Sequence, residues 1–179
     1  MQGFPLDVTF LGASFGCASV GAFCDVRSRR IPNWLTGPSI LGALILHLLV
    51  GGWRSMASAA LGGLIAGGVF AVFYLAGGMG AGDVKLITAV GCFAGLSAVA
   101  GILVGTALMG GVFAIALALY RHRLKDTFAN MGKLMAHHGA AGLRPHPDLN
   151  IGNPGTLRLP YGLAIAAGAG LSFCGALLR

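Results

Sequence analysis

The sequence predicts an all-α membrane protein, and three of its properties support this fold class. Hydrophobic residues make up 56% of the 179 residues, whereas charged residues make up only 9%. Soluble domains carry about 25% charged residues, so most of this chain is too apolar for a water-exposed surface. The third property is a series of long apolar runs separated by short polar segments, because about 20 apolar residues span a bilayer as a helix.

Six apolar stretches are predicted to cross the membrane within one polytopic domain, residues 1–179. An N-cap at Asn33 is predicted to start the second span, and a short loop from Gly51 to Ser55 is predicted to end it. The apolar run after residue 83 is too long for one helix, so a break is predicted at Gly95-Leu96-Ser97. The predicted spans are residues 4–23, 34–50, 56–76, 83–94, 98–120 and 159–178.

The longest polar segment, residues 121–158, is predicted to be a cytoplasmic loop that contains an amphipathic helix at the membrane surface. Its apolar residues recur at spacings of three and four, which is the period of one helical face, at Leu124, Phe128, Met131 and Met135. Basic residues lie between them, as is typical of helices that rest on a membrane. Gly, Pro and Asn are frequent from Gly139 to Thr156, so this part is predicted to be irregular.

The basic residues predict how the spans are oriented. If the loops after spans one, three and five face the cytoplasm, all of the 12 Lys and Arg residues except Arg54 and Arg179 lie on that side. Because Lys and Arg concentrate in cytoplasmic loops, both termini are predicted to be outside. Contact with the lipid bilayer also explains the net charge of +7, and no basic face or motif suggests nucleic-acid binding.

Two aspartates are the candidate functional residues, because an acid at a membrane boundary is energetically costly. Asp25 follows the first span and Asp83 begins the fourth, so the predicted topology places both on one side of the membrane. Two carboxyl groups held close together would not both ionise readily and would share one proton. Such a pair can activate water and protonate a carbonyl, which is the chemistry of aspartic proteolysis and needs no metal or cofactor.

The residues themselves leave other uses of these acids open. Asp25 could solvate a turn, Asp83 could be the N-cap of the fourth span, and intramembrane acids also serve in ion relays. A non-enzymatic proton-coupled transporter or scaffold protein is therefore the alternative function. Gly80 and Gly82 would let an extended substrate strand approach the acids. Lys85 is predicted to anchor its helix at the interface rather than to act in catalysis.

The cysteines do not suggest a metal site, and the histidine of the second span does not suggest a catalytic residue. The four cysteines contain no C-x-x-C pair, the spacing typical of zinc ligands, and we interpret them as small packing residues. His47 is predicted to face the helix bundle and to be hydrogen-bonded there.

Two segments resemble motifs of the prepilin peptidase family, which consists of membrane aspartyl proteases. In the first, Asp25 is followed by Ile31-Pro32-Asn33. In the second, Gly80-Ala81-Gly82-Asp83 matches the G-x-G-D motif of the family and is followed by Lys85. Pro160-Tyr161-Gly162, before the last span, also resembles the C-terminal segment of the family.

The resemblance implies that Asp25 and Asp83 are catalytic acids of an endopeptidase. Its implied substrates are type IV prepilin or pseudopilin proteins, whose basic leader is removed at the cytoplasmic face of the bacterial inner membrane. Larger members of the family carry paired C-x-x-C motifs and N-methylate the new terminus. This chain has no such motifs and is similar to the short Flp/Tad (CpaA/TadV-like) type, so methyltransferase activity is not predicted.

Overall fold

The computed structural model describes residues 6–122, 124–142, 144 and 160–178, and this part of the chain is mainly α-helical. By length and apolar composition, three of its helices could each cross a membrane, and a fourth is apolar but shorter. The predicted all-α membrane protein is therefore confirmed for the described residues. The five helices are α1 (Leu6–Ser28), α2 (Asn33–Leu75), α3 (Ala81–Tyr120), α4 (Leu124–Ala141) and α5 (Tyr161–Leu177).

Single glycines interrupt the two longest helices, α2 and α3. Gly52 has a φ of 69° and Gly95 a φ of 71°, a left-handed backbone that glycine adopts without a Cβ clash. A straight helix as long as α2 would extend about 65 Å, roughly twice the thickness of a bilayer's hydrocarbon core. The glycines divide each helix into two segments that meet at a kink, and both segments are short enough for a membrane-sized bundle.

The observed helix ends refine the sequence predictions. The break in α3 falls at Gly95, the first residue of the predicted break. The loop predicted from Gly51 to Ser55 is wrong, because α2 is helical on both sides of Gly52 and one positive-φ residue turns the chain. A helix, α4, occupies the predicted amphipathic segment and extends past Gly139 to Ala141. Residues 4–5 of the predicted first span, residue 159 of the sixth, and residues 123, 143 and 145–158 of the predicted loop lie outside the described residues.

Helix α3 lies at the centre of the bundle and packs against α1, α2 and α5. A Cβ on Gly62 of α2 would lie only 2.6 Å from the Gly91 carbonyl oxygen of α3. On the other side, a Cβ on Gly105 would lie 3.1 Å from the Cα of Gly168 in α5. Because membrane helices associate mainly through close packing, these glycines hold both neighbouring helices against α3.

His47 and Ser58 of α2 bind the backbone groups that the break in α3 exposes. The His47 ring donates a hydrogen bond of 3.0 Å from Nε2 to the carbonyl oxygen of Phe93. The Leu96 amide donates a hydrogen bond of 3.1 Å to Ser58 Oγ. His47 is only 5% exposed, so the predicted bundle-facing, hydrogen-bonded histidine is confirmed. These bonds fix the position of the first segment of α3, which begins with the G-x-G-D residues.

Candidate active site

Asp25 and Asp83 lie at the same end of the helix bundle. Asp25 is half-buried near the end of α1, and Asp83 is buried in the first turn of α3 with 9% of its surface exposed. The turn after Asp25 packs against the segment that carries Asp83, since Ile31 lies 3.1 Å from where a Cβ on Gly82 would be. The structure thus brings together the two acids that the sequence pointed to, although they are far apart along the chain.

Asp83 is held by the backbone at the start of its own helix. The Gly80 amide donates a hydrogen bond of 3.0 Å to Asp83 Oδ2, and the Asp83 amide donates one of 3.1 Å to the Gly80 carbonyl. Gly80 is the N-cap of α3, so Asp83 is the third helical residue and not the N-cap considered as an alternative. A carboxylate here also interacts favourably with the helix dipole. The orientation of Asp83 is therefore set within α3 itself.

Asp25 is held by the backbone at the start of a different helix. The Gly162 amide, in the first turn of α5, donates a hydrogen bond of 3.1 Å to Asp25 Oδ2 across 137 residues of sequence. Amides in the first turn of a helix have no acceptor within that helix. Asp25 supplies the acceptor for this one, so its orientation depends on where α5 begins.

The Ile31-Pro32-Asn33 segment contacts the segment that carries the G-x-G-D motif. A Cβ on Gly82 would lie 3.1 Å from the Cβ of Ile31. Lys85 Nζ donates a hydrogen bond of 2.9 Å to Asn33 Oδ1. The predicted N-cap at Asn33 is wrong, because Pro32 has the extended backbone of the N-cap and Asn33 is already helical. The Asn33 side chain instead joins the start of α2 to the start of α3.

These contacts give Gly82 a packing role and Lys85 a hydrogen-bonding role that the sequence did not reveal. Ile31 occupies the space in front of Gly82, so the missing side chain serves contact between the two motifs. Approach of a substrate strand to Gly80 and Gly82 stays a prediction. Lys85 is exposed and bonded to Asn33, and its use as an interface anchor also stays a prediction.

Arg29 is a site-forming residue that sequence reasoning missed. Its φ is 51°, a left-handed conformation that costs a residue with a side chain about 1 kcal/mol or more. The Arg29 amide donates a hydrogen bond of 2.7 Å to the Asp25 carbonyl oxygen, which closes the last turn of α1. The chain then reverses, and Ile31 reaches Gly82. No local sequence signal marks this turn, since Gly or Asn would be the expected residue.

Comparisons with known proteins agree with the arrangement of these residues. The model of the type IV leader peptidase family matches residues 12–115, which include both aspartates and both motif segments. Two relatives are the prepilin leader peptidase/N-methyltransferases of Aeromonas salmonicida and Aeromonas hydrophila, each 32% identical over 124 residues. Each match covers 65% of this chain and 42% of the relative, so the chain matches less than half of the relatives' length.

No solved structure matches the chain. The family match alone covers more than half of the sequence and contains both of the paired aspartates. The chain belongs to the type IV leader peptidase family.

Proposed function

We propose that the protein is an aspartic endopeptidase that removes the leader peptide from type IV prepilin-like or pseudopilin-like substrates. The observation that carries this proposal is the position of Asp25 and Asp83 at one end of the bundle, where Gly82, next to Asp83, packs against Ile31 in the turn that follows Asp25. Each aspartate has its Oδ2 atom bonded to a backbone amide, so both carboxyl groups are oriented before substrate arrives. Family membership supports peptidase chemistry, and the name of the relatives supports the substrate class.

In the proposed reaction, the pair begins with one carboxyl ionised and the other protonated. The ionised carboxylate takes a proton from water, whose oxygen attacks the scissile carbonyl carbon. The protonated carboxyl gives its proton to the carbonyl oxygen, which produces a tetrahedral diol. When the C–N bond breaks, the first acid protonates the leaving amine and the second recovers a proton from a diol hydroxyl. The pair ends with one proton, as it began, and no metal or cofactor enters these steps.

The proposed membrane arrangement has six spans, with the two acids at the cytoplasmic face of the bacterial inner membrane. The kinks at Gly52 and Gly95 divide α2 and α3 into four segments, which with α1 and α5 make six. The excess of Lys and Arg at this end of the bundle supports a cytoplasmic site with both termini outside. Two of these basic residues are Arg27 and Arg30, which are exposed and lie next to the turn after Asp25. In this arrangement, a leader that has not left the cytoplasm can reach the acids.

The proposal is limited to proteolysis. The relatives combine peptidase and N-methyltransferase in their name, but the chain spans only 42% of their length. The alternative, a proton-coupled transporter or scaffold, would also place acids in a membrane bundle. It is not favoured, because the family match contains both aspartates and both motif segments and is a match to peptidases.

The proposal is tested with purified full-length protein in lipid nanodiscs, a candidate Flp-type prepilin and mass spectrometry of the products. Wild type is expected to release the intact leader in the presence of EDTA. Asp25→Asn and Asp83→Asn are each expected to lower the rate about a thousandfold or more, since each removes half of the acid pair. Asp7→Asn, at an exposed acid of α1, is the matched control and should cleave like wild type.

Normal processing by either active-site variant would contradict the proposal. Complete loss of wild-type cleavage in EDTA would contradict it as well, because the acid pair needs no metal. Membrane insertion of each variant is checked by its yield and gel-filtration profile, so that a loss of cleavage is not mistaken for a loss of folding.

A further inference from the structure

We propose that Gly162 is a positioning residue of the active site, whose backbone amide sets the orientation of Asp25. This inference rests on the proposed function, because it assigns a partner to one of the two proposed catalytic acids. Gly162 lies in α5, outside the residues 12–115 that the family model matches. Its assignment therefore comes from contacts in the folded chain.

The first observation is the hydrogen bond from the Gly162 amide to Asp25 Oδ2. The N-cap of α5 is Pro160, which provides no side-chain cap, while the Leu163 amide already donates to the Pro160 carbonyl. A first-turn amide needs an acceptor from outside its helix. Asp25 is that acceptor for Gly162, so the bond satisfies the helix start and holds one carboxylate oxygen.

The second observation is the space around Gly162, which is buried against α1. A Cβ at this position would lie 3.0 Å from the Ala22 Cα, 3.0 Å from the Asp25 Cβ and 3.1 Å from Asp25 Oδ2. A side chain would push α5 away from α1 by a few tenths of an ångström. The hydrogen bond of 3.1 Å is already near the long end of the normal range, so such a shift would weaken it.

The third observation is that the same turn of α5 reaches the second acid. The half-buried Tyr161 has an electrostatic interaction with Asp83. The start of α5 therefore lies beside both carboxyl groups.

The hydrogen bond can be tested without any substrate. Tyr161-Gly162 is the single Tyr-Gly pair in the sequence, so labelling with 13C′-tyrosine and 15N-glycine gives one amide correlation from full-length protein in nanodiscs. The Gly162 amide proton is expected to shift upfield in Asp25→Ala, which removes the acceptor of its hydrogen bond, and to keep the wild-type shift in Asp7→Asn. A Gly162 amide shift that is the same in Asp25→Ala and wild type would overturn the assignment.

The positioning role is tested by kinetics with the prepilin substrate. Gly162→Ala is expected to lower kcat about tenfold or more while KM stays within about twofold, because the added methyl group displaces Asp25 but not the substrate surface. Gly175→Ala is the control in the same helix, where a Cβ would meet nothing within 4 Å, and it should match wild type. An unchanged kcat in Gly162→Ala would overturn the proposal.

The two experiments separate this inference from the proposed function. If wild type cleaves no prepilin, the proposed function fails, while the Gly162 amide shift still reports whether Gly162 holds Asp25. If Gly162→Ala does not fold, the amide shifts of wild type and Asp25→Ala decide the question alone.

Discussion

Lys85 Nζ donates a hydrogen bond of 2.9 Å to Asn33 Oδ1, and this bond joins two motif segments 52 residues apart. Beside it, Ile31 packs where a side chain on Gly82 would lie. The residues that surround the two aspartates therefore also contact each other. They form a clamp, made of Ile31, Asn33, Gly82 and Lys85, that fixes the start of α3 against the turn after α1.

The bond between Asn33 and Lys85 is expected to stabilise the clamp by about 1 kcal/mol, the usual net contribution of a hydrogen bond. Asn33→Ala and Lys85→Ala should each lower cleavage several-fold, and the double variant should be little worse than either single variant. Asn33→Asp keeps an acceptor for the ammonium group and should retain most of the activity. The cleavage rates of these variants and of wild type measure the energetic coupling between Asn33 and Lys85. A double variant whose loss of rate equals the product of the two single losses would show that the bond is unimportant.

Gly82→Ala is expected to reduce cleavage about tenfold or more, because its Cβ would meet the Cβ of Ile31 at 3.1 Å and displace the turn that carries Asp83. Gly111→Ala is the control within α3, since a Cβ there meets nothing within 4 Å. The control should keep full activity in the same prepilin assay. Equal activity of the two variants would show that contact with Ile31 does not require glycine at position 82.

Gly95→Ala is expected to destabilise the fold by about 1 to 2 kcal/mol, because alanine is strained at a φ of 71°. Its Cβ would also lie 3.3 Å from Ser58 Oγ, which accepts the Leu96 amide. Thermal unfolding in detergent measures the effect as a lower midpoint than wild type. In Gly111→Ala, where the helix is regular, the midpoint should stay the same or rise slightly. A Gly95→Ala midpoint at or above wild type would contradict a left-handed kink at this residue.

Arg29→Gly is expected to fold and cleave like wild type, because glycine adopts the left-handed turn after Asp25 without strain. Arg29→Val should unfold at a lower temperature, since a β-branched residue is strongly disfavoured at positive φ. Arg27→Val, at an exposed position of the last turn of α1, controls for the loss of one positive charge. If Arg29→Val and Arg27→Val behave alike, the side-chain charge rather than the turn determines the effect.

The sequence was sufficient to predict the helical membrane class and to single out two acids that lie at one end of the bundle, because both depend on local features. Apolar runs mark membrane helices, and an acid beside such a run is conspicuous. The break at Gly95 was also predictable, since the apolar run was too long for one helix. The loop predicted around Gly52 was wrong because glycine-rich sequence signals a turn without showing how few residues make it.

The contacts that hold the acids could not be predicted, because they join residues remote in sequence. The bond between Gly162 and Asp25 spans 137 residues, and no spacing rule connects two such positions. In the sequence, Pro160-Tyr161-Gly162 resembles the C-terminal segment of the family, but nothing there indicates which residue it contacts. Asn33 was assigned to the wrong role for a similar reason: its side chain suits an N-cap, and its actual partner, Lys85, lies on another helix.

The central claim is that Asp25 and Asp83 act as one catalytic unit, and a double-variant cycle tests it most directly. Prepilin cleavage is measured for wild type, Asp25→Asn, Asp83→Asn and the variant carrying both changes, each in nanodiscs at matched concentration. If the acids act as a unit, removing the second after the first costs little further rate, so all three variants should show about the same residual activity. A double variant whose loss equals the product of two independent losses, or a single variant that cleaves normally, would contradict the claim.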